Sequence, residues 1–116
     1  MPEAEIIDQP TLAALLDSLG GDVDFLKELV DAYLDSTPGL FAAMRQAAAA
    51  GDAAGLQRAA HTLKTGSANM GPLALAALCK QLEDMGRSGV FEDAETRIDH
   101  AAAVYDDVAV ALRDHF

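Results

Sequence analysis

Apolar residues recur at helical spacing along nearly the whole chain, interrupted by short groups of glycine, proline and aspartate. Leu12, Leu15, Leu16 and Leu19 share one side of a first short helix that Asp8 can cap and Gly20-Gly21 ends. Asp22 can cap the next helix, whose stripe is Phe25, Leu26, Leu29, Val30, Tyr33 and Leu34. Thr37-Pro38 reads as an N-cap followed by proline in the first helical position, and Leu40, Phe41, Met44, Ala47 and Ala48 extend the apolar face. The pattern leaves open whether these are two helices or one kinked rod.

Gly51-Asp52 is a stop followed by a cap, opening a helix that runs to about Asn69. Gly71-Pro72 breaks it. Leu75, Leu78, Cys79, Leu82 and Met85 mark the next helix, which Gly86 and Gly89 are expected to end. A last stripe follows at Ala94, Ile98, Ala101, Tyr105, Val108 and Leu112, spaced by fours and threes. Short connections between long helices favour antiparallel neighbours. The expected fold is therefore all-α: an up-down antiparallel four-helix bundle with one or two additional N-terminal helices.

Composition narrows this picture. The 116 residues suit a single domain over 1–116, with residues 1–5 expected to fray. Apolar residues make up 51% and aromatics only 5%, so Leu, Ala and Val must fill most of the core. A formal charge of −11 argues against nucleic acid and against an anionic membrane surface, since both require clustered Lys and Arg. No apolar run approaches the ~20 residues needed to span a bilayer. Cys79 is the one cysteine and can form no internal disulfide, which favours a reducing, cytoplasmic compartment. Met1 and the short flanks fit a stand-alone protein more simply than an excised domain.

Placed on a wheel, Leu56, Ala59, Ala60, Leu63, Ser67 and Met70 form the buried stripe of the helix after Asp52. His61 lies roughly 140° from the centre of that stripe and should face solvent. Its neighbours three or four positions away are Gln57, Arg58, Lys64 and Thr65, with Ala54 and Ala68 a turn further out. An acidic chain thus sets two of its eight basic residues beside one exposed imidazole, with no carboxylate among those neighbours. Small, uncharged residues fill the rest of the patch, so another protein could approach closely. Cys79 falls on a core stripe and reads as packed; Ser67 also faces the core and is expected to bond to backbone.

The run His61-Thr62-Leu63-Lys64-Thr65-Gly66-Ser67-Ala68-Asn69-Met70-Gly71 closely resembles the signature of histidine-phosphotransfer domains: His-x-Leu-Lys, small residues, then an apolar residue and Gly. Asp52, Cys79, Leu82-Glu83, Gly86-Arg87-Ser88-Gly89 and Phe25-Leu26-Lys27-Glu28-Leu29 are similar to further landmarks of the family, so the resemblance extends from about residue 6 to residue 112. One departure is specific. Thr65 stands where the family often has glycine, which puts transfer rate or partner choice in question.

The resemblance implies that His61 accepts a phosphoryl group from an aspartyl phosphate on one response-regulator receiver domain and passes it to another. Partners would be receiver domains, a hybrid histidine kinase, or both, with the chain itself monomeric. Lys64 is the candidate to meet the phosphoryl oxygens. Arg58, Lys80 and Arg87 are weaker candidates that fit a partner surface, as do Gln57, Thr65 and Ala68. If Gly71-Pro72 turns an antiparallel hairpin, residues near 82 lie opposite His61, making Glu83 the candidate to hold one ring N–H. A solvated carboxylate is the alternative reading of Glu83.

His61, His100 and His115 lack metal-ligand spacing, so no cofactor is expected on this chain, and Mg2+ belongs to the receiver. Thr62 follows the histidine where histidine kinases usually carry an acidic residue, and no Gly-rich nucleotide loop is present. Independent kinase activity is therefore not expected. The competing class is a non-catalytic bundle that only docks a receiver.

Overall fold

The structure is a computed structural model describing residues 6–116; the fraying expected at residues 1–5 lies outside them. Five helices are present among the described residues: α1 (Gln9–Ser18), α2 (Val23–Ala50), α3 (Ala53–Met70), α4 (Leu73–Ser88) and α5 (Ala94–His115). Three begin as the aspartates foretell. The Asp8 carboxylate accepts from the Thr11 amide at 3.2 Å, Asp22 from Phe25 at 3.1 Å and Asp52 from Gly55 at 2.9 Å. Each bond satisfies an amide that the first helical turn leaves without a partner.

The helices α2 to α5 form the bundle, with α3 and α4 the most closely joined pair, α2 on α3, and α5 closing on both α4 and α2. The additional helix α1 lies against α3 and α2. Two-residue connections at Gly51-Asp52 and Gly71-Pro72 reverse the chain between long helices, the arrangement that short links impose. Leu56, Ala60, Met44, Leu75, Cys79, Leu82, Ile98, Ala101 and Leu112 are fully buried where the apolar stripes meet. Gly71 anchors one end of the bundle. It adopts φ 110°, a conformation open to glycine, and its carbonyl accepts from the Asp8 amide at 2.7 Å. This bond fastens the segment before α1 to the α3–α4 turn.

One open reading is settled, and one expectation is corrected. Thr37-Pro38 is no helix start: α2 is one continuous helix with Pro38 inside it. Proline removes the amide that would donate to the Leu34 carbonyl. Here the Tyr105 hydroxyl of α5 donates to that carbonyl at 3.1 Å, while the buried Thr37 hydroxyl donates to the Tyr33 carbonyl at 2.6 Å. A tertiary contact thus supplies what local sequence lacks. Gly86 is likewise no stop, because α4 continues to Ser88 and Gly89 caps it. Gly86 is instead buried at the crossing with α3, where an added Cβ would lie 2.6 Å from the Gln57 nitrogen and 2.9 Å from the Ala53 oxygen.

Burial also perturbs three core acids. It pushes the Cys79 thiol up to about 12 and raises the Tyr33 and Tyr105 hydroxyls above their ordinary range. These groups hold their protons more tightly folded than unfolded, so alkali favours the unfolded chain. Stability should fall as pH rises from about 9 towards about 12, the window between ordinary and folded values. Thermal melts followed by circular dichroism across that range test this, and a flat profile would contradict it.

Candidate functional site

The close approach of α4 to α3 sets the site. Gly86 lets the two backbones meet beside Gln57, and Glu83, one turn earlier on α4, then faces the α3 turn that holds His61 and Lys64. The His61 side chain is 60% exposed, as the wheel requires of a residue opposite the core stripe. Glu83 is only 3% exposed. Its solvated alternative is therefore excluded by its position in the bundle.

The Glu83 carboxylate is shared between two partners. One oxygen, Oε2, pairs with His61 Nδ1, and the other, Oε1, accepts from Lys64 Nζ at 2.7 Å. The Lys64 bond chiefly holds the Glu83 carboxyl below the ordinary carboxylate range; the His61 bond adds to this, and burial opposes both. Glu83 is consequently ionised at neutral pH and acts as acceptor. Nδ1 therefore carries a proton, and in the neutral imidazole the lone pair is on Nε2. Among the described residues no hydrogen bond or ion pair engages Nε2.

Other residues singled out from sequence fall into separate places. Arg87 lies 3.8 Å from Glu83 Oε1 through Nη2, and its Nη1 donates to Asp84 at 3.1 Å. Lys80 pairs with the other Asp84 oxygen at 3.4 Å. Arg58 borders the groove between α2 and α3, together with Thr62 and Leu40. Ala68 lines a shallow groove facing α1, beside Thr11 and Ala14. Thr65 is exposed one turn beyond His61, and Gln57 is half-buried against Gly86.

Ser67 does not bond to backbone as expected. Its Oγ meets the Tyr33 hydroxyl at 2.7 Å, a buried polar pair linking α3 to α2 beneath the site. Asp84 was not among the residues singled out, although its i+4 and i+3 relation to Lys80 and Arg87 would have marked it as their partner. No group of three or more His, Cys, Asp or Glu among the described residues is arranged to hold a metal ion. None of the described helices is long and apolar enough to cross a membrane.

An exposed imidazole with one nitrogen held by a buried carboxylate, beside an ammonium group, is suited to nucleophilic acceptance of a charged group. Comparison with known proteins agrees with this chemistry. The Hpt domain family model matches residues 28–114. The fold is similar to the crystal structure of histidine-containing phosphotransfer protein B (HptB) from Pseudomonas aeruginosa PAO1, with a TM-score of 0.86 and 29% identity over 95% of this chain and 93% of that one. No curated protein matches in sequence. The matched family and the shared helical fold together establish that this chain belongs to the Hpt family, the histidine phosphotransfer proteins of phosphorelays.

Proposed function

We propose that His61 is the phosphoacceptor through which this chain shuttles phosphoryl groups between aspartates of response-regulator receiver domains. The observation that carries this reading is the bond that Nδ1 of a solvent-exposed ring donates to a buried, ionised Glu83. The Nε2 lone pair attacks the phosphorus of an aspartyl phosphate, the aspartyl P–O bond breaks, and the carboxylate leaves as the N–P bond forms. The Nδ1 proton stays in place, and the positive charge that the ring gains is balanced by Glu83. Transfer to the next receiver is the reverse sequence with a different aspartate.

A loose phosphoryl transition state rewards position and charge more than covalent assistance. Lys64, bound to the same carboxylate as the ring and 28% exposed at the edge of the site, supplies positive charge. The Mg2+ ion and the acidic pocket belong to the receiver, and this chain needs no cofactor of its own. It has no kinase activity in this reading; a hybrid histidine kinase, or receivers charged by one, would supply its phosphoryl groups. Thr65 and Lys80, exposed on α3 and α4, belong to the surface on which receivers dock, with Gln57, Arg58 and Ala68 at its separate margins, and the domain acts as a cytoplasmic monomer.

Incubation with a phosphorylated receiver domain tests the proposal. Label should move from the receiver to this chain in a form that acid removes and alkali does not. Firm receiver binding without label transfer would reject the carrier role in favour of a docking module. Within the site, Glu83→Ala should slow transfer by about 10- to 100-fold, the usual cost of removing a group that orients a reacting imidazole. Glu83→Gln should fall between, since its amide oxygen still accepts from Nδ1 but no longer balances charge. Equal rates for all three proteins would remove the orienting role.

A further inference from the structure

Lys64 occupies two roles that conflict. It is the cation that shares the Glu83 carboxylate with the imidazole, its ammonium bound to Oε1 at 2.7 Å. If it turns to a phosphoryl group on His61, Oε1 of a carboxylate only 3% exposed loses its hydrogen-bond donor. The charged ring still balances the carboxylate through Oε2, but a buried oxygen left without a donor is costly, so that movement favours a replacement at Oε1. The geometry supplies one. Arg87, one turn along α4 from Glu83, holds Nη2 at 3.8 Å from the same Oε1 atom, just beyond hydrogen-bond distance. Its present bond is to Asp84, whose other oxygen has Lys80 at 3.4 Å.

We infer that Arg87 is a standby counter-ion, which takes over Glu83 Oε1 when His61 is phosphorylated and so releases Lys64 to the phosphoryl oxygens. The rearrangement runs along a continuous ion-pair chain. Arg87 moves inward by about one ångström to reach bonding distance. Lys80 remains on Asp84 and keeps that carboxylate paired. Lys64 then gains the phosphoryl group without leaving Oε1 unfilled behind it. Arg87 touches neither the phosphoryl group nor the ring in this scheme; it is a positioning residue acting through Glu83. The inference rests on His61 being the phosphoacceptor.

A double-mutant cycle on transfer from a phosphorylated receiver separates this role from simple docking. Arg87 is well exposed, so its variants should keep the fold. Lys64→Ala should slow transfer by about 10-fold or more. Arg87→Gln should slow it by about 5- to 10-fold, and Lys64→Ala added to Arg87→Gln should cost no more than about 2-fold further, leaving the double variant level with Lys64→Ala alone. Arg87→Lys should restore most of the rate. Nuclear magnetic resonance of the Lys64 side chain provides a second readout: its signals should shift on phosphorylation in the unaltered protein and stay put in Arg87→Gln. Full-speed transfer by Arg87→Gln, or a Lys64→Ala penalty of equal size in both backgrounds, would overturn the inference while leaving His61 as carrier. A protein that accepts no label in any form would overturn the carrier reading and this inference with it.

Discussion

His61→Gln should take up no phosphoryl group from a phosphorylated receiver while keeping the bundle intact. The side chain is 60% exposed and contributes nothing to the buried stripe of α3, so substitution should leave stability within about 0.5 kcal/mol. Glutamine is close in size and can still offer an N–H towards Glu83, which keeps its bond from Lys64. What disappears is the lone pair on Nε2, because an amide nitrogen is not a nucleophile towards phosphorus. The loss should therefore be complete rather than graded. His100 and His115 lie on α5 rather than on α3 and should not substitute. Label retained by the variant at the unaltered level would place the acceptor elsewhere.

Gly86→Ala should be the most damaging single methyl group that can be added between α3 and α4. In an exposed helix interior the exchange would stabilise the protein by about 1 kcal/mol through helix propensity. At Gly86 the new Cβ would meet the Gln57 nitrogen at 2.6 Å, the Ala53 oxygen at 2.9 Å and the Gln57 Cα at 2.9 Å. These are backbone atoms and cannot rotate aside, so the helices must separate. Overpacking of this kind costs about 1–3 kcal/mol, which outweighs the propensity gain. The same displacement would carry Glu83 away from His61, so transfer should slow together with the fall in melting temperature. Gly39→Ala is the matched control: it also lies within a helix, with nothing within 4 Å of its added Cβ, and should raise stability. A Gly86→Ala protein as stable and as active as the parent would show that the helices tolerate a wider spacing.

Much of this arrangement can be read from the chain because it depends on local chemistry. Asp8, Asp22 and Asp52 cap helices through their own side chains, and Gly51 and Gly71 end them, so those boundaries follow from a few adjacent residues. The outward face of His61 follows from the spacing of Leu56, Ala60, Leu63 and Ser67 on the same helix. Glu83 comes within reach because Gly71-Pro72 makes a tight turn, which fixes the register of α4 against α3 to within a turn. Where distant residues intervene, the reading fails. The continuity of α2 through Pro38 rests on a hydroxyl from Tyr105, far along the chain on α5. Ser67 finds Tyr33 rather than a carbonyl because α2 presents that ring to α3 at the same level. Gly86 resembles a terminator in sequence, and only the crossing of two helices reveals that space, not backbone conformation, demands glycine there. The attachment of Lys64 to Glu83 is of the same kind, since each was singled out for the imidazole and neither for the other.

The most direct measurement is the position of the phosphoryl group on the ring. The protein, labelled with nitrogen-15 in its histidines and phosphorylated by a receiver domain, can be observed by phosphorus–nitrogen correlated magnetic resonance. A single phosphorus signal should couple to Nε2 of His61, with the Nδ1 proton retained and held by Glu83. Phosphorus on Nδ1, on another residue, or on no residue of this chain would contradict it.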